Sequence, residues 1–246
     1  MTLGRMSVSS NHVASLVDGL ATLAENKPAH LAISYGKTEF TYRELDQITS
    51  HLANALHATG FKQGDLAALF LNNSTLHNII TQYGVWKAGG VLLFIEPTIT
   101  ARQLYPWLKQ SGANTAFVST EYYDLFKRAQ SYTSVRRVVV ARASDHLSGT
   151  AKWWFRLRHA RRGKHHIEQH YADMRWRDLL KLGAKAPEVN VSISAETAAL
   201  HIDGRTVSHQ TISLNQLDNT PAQFQAHARY HQSLQRGQSL VLTPDF

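Results

Sequence analysis

The sequence predicts an α/β fold built on a doubly wound, mostly parallel sheet. Short apolar runs at 66–71, 91–95, 115–118 and 135–141 alternate with stretches of helical periodicity. Several of those runs are nearly continuous in apolar residues rather than alternating, which marks strands buried on both faces of a parallel sheet. The spacing between runs leaves room for one helix per crossover, and right-handed crossovers put helices on both faces.

In chain order, Val13, Leu16, Leu20 and Leu23 fall near helical spacing and predict a short amphipathic helix over 13–24, stopped by Pro28. Residues 31–35 and 38–40 read as a hairpin around Gly36-Lys37. Thr41-Tyr42-Arg43-Glu44 has the capping-box pattern, in which the Thr41 hydroxyl accepts from the Glu44 N–H while the Glu44 side chain reaches back. The helix it starts places Leu45, Ile48, Leu52 and Leu56 on one face and ends at Gly60, a left-handed cap. After the strand at 66–71, a helix over 74–87 turns Leu76, Ile79, Ile80 and Tyr83 inward and breaks at Gly89-Gly90. Thr100 and Gln103 offer a second capping box ahead of a helix that contains Pro106, where a kink or restart is expected because proline removes a backbone donor.

A helix around 121–130 separates the strands at 115–118 and 135–141, and another is expected around 174–182. Residues 184–190, with Pro187, read as a linker. Asp203-Gly204 lies between extended runs at 197–202 and 205–208. Both central residues of a type I′ turn need positive φ, so this pair predicts a tight hairpin. Residues 210–236 are polar with helical character, and 239–242 form a last short strand. The expected division is a first α/β subdomain over 13–143, a basic connector over 144–190 and a partial second subdomain over 191–246.

At 246 residues the chain can bury a substantial core, and its 43% apolar content excludes wholesale disorder. It has no cysteine, which excludes disulfides, thiolate-ligated zinc and thiol nucleophiles. No charged-then-apolar leader opens the sequence, and no apolar run approaches the roughly 18 residues of a membrane-spanning helix. A cytoplasmic location is expected, peripheral at the membrane where charge meets lipid.

The formal charge of +8 is clustered. Lys152, Arg156, Arg158, Arg161, Arg162 and Lys164 stand together, and no acid lies between Asp145 and Glu168. Trp153, Trp154 and Phe155 are interleaved with them. Cations beside aromatic rings suit the surface of an anionic membrane; the competing reading is a solvated connector whose tryptophans pack on the domain. No nucleic-acid-binding motif accompanies the charge, which disfavours RNA and DNA as partners. His166/His170 and His227/His231 have the i,i+4 spacing of helix metal ligands, but neither pair has a third ligand nearby, so no metal site is expected. There is no G-x-S-x-G elbow for a Ser-His-Asp hydrolase, and no catalytic residue is assigned.

A series of loose motifs remains: Thr41-Tyr42-Arg43-Glu44-Leu45, Leu52-Ala53-Asn54-Ala55-Leu56, Gly60-Phe61-Lys62-Gln63-Gly64-Asp65, Leu71-Asn72-Asn73-Ser74, Trp86-Lys87-Ala88-Gly89-Gly90, Pro97 with Thr100, and Ser111-Gly112-Ala113. In this order and at these spacings the chain, from about residue 13 to its end, resembles the AMP-binding, acyl-adenylate-forming superfamily of acyl-CoA synthetases, luciferases and peptide-synthetase adenylation domains. It looks most like the fatty-acyl-CoA ligase branch, where a strand, a basic connector and an aromatic–Leu-Leu segment follow one another, here ending at Trp176 to Leu180. The resemblance implies the N-terminal part of the adenylate-forming ligase fold and a family chemistry that uses ATP, Mg and CoA.

In that family a phosphate loop comes next, a run close to T-S-G-T-T-G-x-P-K-G followed by a Thr-His pair. Here Ala198-Ala199-Leu200-His201-Ile202-Asp203 passes directly into Gly204-Arg205-Thr206-Val207-Ser208-His209. Gly204 is similar to the last glycine of the loop, so Asp203-Gly204-Arg205 reads as its remnant. Ser208-His209 is similar to the downstream pair, either a pocket remnant or a strand-end pair without a role. The Ser/Thr/Gly run and its lysine are missing. Such a loop holds triphosphate because small residues let backbone N–H groups converge on the oxygens. Losing one preorganised donor already costs about 2.7–4 kcal/mol of transition-state stabilisation, and the Asp203 carboxylate repels phosphate.

The sequence also stops at Phe246, ahead of the family's later nucleotide motifs and its C-terminal domain with the adenylation lysine. The expectation is a truncated, catalytically silent relative of fatty-acid–CoA ligase that binds no cofactor by itself. Its rivals are one half of a split ligase completed by another chain, and a non-enzymatic lipid-surface or scaffold module. A sheet edge left at Leu242 invites self-association or a partner chain.

Overall fold

The computed structural model describes residues 11–35, 38–71, 76–95, 99–142, 145, 173–189, 191, 199–202 and 240–242. In chain order the elements are α1 (Asn11–Asn26), β1 (Leu31–Tyr35), β2 (Thr38–Thr41), α2 (Tyr42–Ala58), β3 (Leu66–Phe70), α3 (Leu76–Lys87), β4 (Val91–Ile95), α4 (Ala101–Ser111) and β5 (Thr115–Ser119). A 3-10 turn (Thr120–Tyr122) leads into α5 (Tyr123–Gln130), followed by β6 (Arg137–Ala141), β7 (Met174–Arg175), α6 (Trp176–Gly183), β8 (Ala199–Ile202) and β9 (Leu240–Leu242).

Six strands form one sheet in the order β7-β6-β5-β3-β4-β8, and every neighbouring pair is parallel. The chain goes from β3 outward to β4, then returns past β3 to β5, β6 and β7. Its winding direction therefore reverses between β3 and β5, the topological switch point of a doubly wound sheet. The fold class read from the sequence is the one observed. The predicted hairpin pairs β1 antiparallel to β2, and β9 joins β1 in parallel to make a separate three-stranded sheet. β8 and β9 come from the region past residue 190, yet each is hydrogen-bonded to a strand of the first 143 residues.

Strand alternation splits the core in two. Leu69, Leu92, Phe117 and Val139 join a cluster with Leu52, Ile80 and Trp176 from α2, α3 and α6. Ala68, Leu93, Val118, Val138 and Val140 point the other way and cluster with Leu104, Leu108 and Phe126 from α4 and α5. Each face of the sheet thus buries its own helical layer, as near-continuous apolar strands require.

Both predicted capping boxes form. The Glu44 N–H donates to Thr41 Oγ1 at 3.3 Å and the Thr41 N–H donates to Glu44 Oε2 at 2.8 Å. Thr100 and Gln103 repeat the exchange at 3.4 and 3.0 Å. Gly60 takes φ 84°, and the Phe61 and Gly60 N–H groups donate to Leu56 O and His57 O, both at 2.9 Å, closing α2 in a Schellman motif.

Two expectations are corrected. Of the kink or restart expected at Pro106, the restart does not occur: α4 runs as one helix from Ala101 to Ser111. Pro106 stands in the second turn and forfeits a single backbone bond, while the Thr100 cap and the buried Leu104 and Leu108 hold the helix on either side. Met174 and Arg175 do not open a helix either. They pair with Val139 and Val140 as a two-residue strand, and the helix starts at Trp176. So short a strand is set by its partner and carries no periodicity of its own. The linker read at 184–190 is anchored in part, since the Val189 N–H donates to Asn54 Oδ1 at 3.0 Å.

Candidate functional site

The residues singled out from the sequence fall outside the described parts. This applies to the cationic and aromatic set Lys152, Trp153, Trp154, Phe155, Arg156, Arg158, Arg161, Arg162 and Lys164, to the loop remnant Asp203, Gly204 and Arg205, and to Ser208 and His209. The histidine pairs at 166/170 and 227/231 lie outside them too. What is described is the strand leading into the remnant. β8 ends at Ile202, in register with Ile95, the last residue of β4. β8 therefore ends at the carboxyl edge of the parallel sheet, the edge on which doubly wound folds take ligands.

A group of residues, of which motif reading picked out Trp176 alone, lies along the same edge. His77 is in the first turn of α3, after β3; Thr120 follows β5; Arg142 and Asp145 follow β6; Trp176 follows β7. Asp145 Oδ2 accepts from the Arg142 N–H at 2.9 Å and lies 3.5 Å from His77 Nε2. The His77 ring stands edge-on to Trp176 with centroids 5.0 Å apart, and Trp176 stands edge-on to Phe117 at 5.9 Å. Thr120 is 3% exposed. Among the described residues, Thr120 Oγ1 and Arg142 Nε are buried without a hydrogen-bond partner. The signal that could have found these residues is positional: each stands just beyond the carboxyl end of a parallel strand. Among the described residues no group of three potential ligands could hold a metal.

Lys87 marks a second polar feature. It is at the end of α3, where a groove of about 430 Å³ is lined by residues that include Val17, Asp18, Asp46, Asn54, Glu188 and Val191. Lys87 Nζ donates to Asp46 Oδ1 at 2.6 Å, Asp46 O at 2.9 Å and Ser50 Oγ at 2.9 Å. All three ammonium protons are engaged, so Lys87 ties α3 to α2 rather than offering a free cation. Burial pushes its pKa below the usual lysine value, against the opposing pull of Asp46 and Glu188.

The unfolded chain then binds this proton more tightly than the folded one. The resulting penalty is fully present below the folded pKa and is relieved as pH rises toward the lysine reference of 10.5. Urea unfolding of wild type and Lys87→Met at stepped pH should show the difference moving in favour of wild type as pH climbs. A pH-independent difference would refute the assignment.

The structure is a doubly wound α/β sheet with a polar carboxyl edge. A family model described as AMP-binding enzyme matches residues 20–192, and the chain belongs to that family. It is 26% identical over 239 residues to a long-chain-fatty-acid–CoA ligase of Salmonella typhimurium, a match that spans 94% of this chain and 41% of that ligase. The apo structure of Mycobacterium smegmatis MbtA superposes with a TM-score of 0.69 at 21% identity, covering 94% of this chain and 44% of the other. A long-chain-fatty-acid–CoA ligase from Archaeoglobus fulgidus does so with a TM-score of 0.66 at 17% identity, covering 94% and 47%. The superpositions show a shared fold, and the chain spans less than half the length of these relatives. The motif series from Thr41 to Ala113 lies inside the family match, and residues 198–209 lie beyond it.

Proposed function

We propose that this chain is a non-adenylating member of the AMP-binding family, related to the fatty-acyl-CoA ligases. The observation that carries this reading is the passage from Ala198 to His209, which holds one glycine, no lysine and an aspartate where a Ser/Thr/Gly run and a lysine stand in the family. The placement of β8 supports it. β8 ends at the carboxyl edge, where a phosphate-cradling loop has to rise, and the next residue in the sequence is the acid Asp203. A carboxylate repels triphosphate, and the sequence lacks the run of small residues that a backbone nest needs.

Calorimetry with Mg-ATP should give no saturable heat in the micromolar range, and pyrophosphate exchange with a panel of fatty acids should stay at background. A one-site isotherm overturns the reading. Exchange that appears only on mixing with a second chain carrying the rest of the ligase fold would favour the split enzyme instead.

A second reading concerns the partner. Six Lys/Arg residues between 152 and 164, interleaved with Trp153, Trp154 and Phe155 and with no acid among them, favour an anionic lipid surface. Among the described residues no helix is long and apolar enough to cross a membrane, so contact would be peripheral.

A further inference from the structure

Along the carboxyl edge, β5 and β6 end in register, Ser119 opposite Ala141. Thr120 and Arg142 directly follow these neighbouring strands, which run roughly 5 Å apart. Each carries a buried polar atom, Thr120 Oγ1 and Arg142 Nε, without a hydrogen-bond partner among the described residues. A buried donor left unmatched is costly, and two at adjacent positions on one edge call for a shared acceptor. We propose that Thr120 and Arg142 form a site for a small oxyanion, the phosphoryl or carboxylate end of a ligand.

The surroundings fit an anion. α3 and α5 both begin at this edge, so the positive ends of their dipoles lie there. The acid in the group, Asp145, is already held between the Arg142 N–H and the His77 ring. Thr120 is almost fully buried while Arg142 is half-buried, so the guanidinium side is the way in. The site is separate from β8: three strand steps, β5 to β3 to β4 to β8, put roughly 14 Å between β5 and β8.

The test is the melting temperature of the whole chain in sodium phosphate, sodium acetate and sodium chloride at matched ionic strength. Wild type should gain roughly 5–10 °C at a hundredfold excess of the bound oxyanion over its Kd, relative to chloride. A response to phosphate alone assigns a phosphoryl group, and a response to acetate as well assigns a carboxylate. Arg142→Gln should remove the gain. Thr120→Val should melt no lower than wild type in chloride, because it deletes an unmatched hydroxyl at constant shape, yet lose at least half of the oxyanion gain. Gains no greater than in chloride, or equal gains in wild type and Arg142→Gln, overturn the site. If Arg142→Gln does not fold, an undiminished gain in Thr120→Val overturns it alone.

Discussion

Replacing Gly183 with alanine should lower the melting temperature by roughly 4–8 °C. A Cβ at position 183 would lie 1.7 Å from His51 O, 2.6 Å from His51 C and 3.0 Å from Ala55 Cβ. His51 is in the middle of α2, so its carbonyl belongs to the helix ladder and cannot swing aside as a side chain could. α6 would have to back away from α2, unseating Trp176 and Leu179, both fully buried. Helix propensity argues the opposite sign, since alanine is favoured over glycine by about 1 kcal/mol in a helix. Overpacking typically costs 1–3 kcal/mol, and a rigid backbone contact belongs at or above the top of that range, about 3 kcal/mol. Packing therefore wins, and at about 2–4 °C per kcal/mol for a chain of this size the fall follows. Gly19→Ala is the control: it lies in α1 with nothing within 4 Å of its added Cβ, and it should hold or raise the melting temperature. Equal melting of Gly183→Ala and wild type would mean that α6 does not sit this close to α2.

The same contrast between local and tertiary causes separates what could be read from the sequence. β3, β4, β5 and β6 were legible because a parallel strand buried on both faces is written as a short apolar run, and the capping boxes at Thr41 and Thr100 because the pattern spans four residues. The Met174–Arg175 strand was not legible, since its hydrogen bonds depend on Val139 and Val140 some 35 residues away. Nor was the continuity of α4 through Pro106, where buried Leu104 and Leu108 outweigh one lost bond. The oxyanion pair was invisible for a third reason. Thr120 and Arg142 share no motif, and they become neighbours only when β5 and β6 pair. The 198–209 passage is the reverse case: its meaning lies in which residue types are missing, which a sequence displays directly.

Reversing charge in the connector should abolish attachment to anionic vesicles. The chain carries Lys152, Arg156, Arg158, Arg161, Arg162 and Lys164 within thirteen positions, and Trp153, Trp154 and Phe155 beside them. Near an anionic leaflet each cation contributes about 1 kcal/mol, so six reach about 3 kcal/mol even if half are badly placed. That is more than a hundredfold in partitioning, before any ring enters the headgroup layer. Replacing Arg156, Arg158, Arg161 and Arg162 with glutamate changes each position by two charges and removes the whole formal excess of +8. The sign of the interaction is then lost along with its size. Salt supplies an independent check, because exposed charges are screened over about 8 Å at physiological ionic strength and over less at higher salt. Co-sedimentation with phosphatidylserine vesicles should be strong for wild type at low salt, weak at high salt, and absent for the tetra-glutamate variant. Neutral vesicles should retain at most the small fraction that the three aromatic rings sustain. Wild type left in the supernatant with anionic vesicles at low salt, or a glutamate variant that pellets as well as wild type, would make these residues a solvated connector and leave the lipid surface without support.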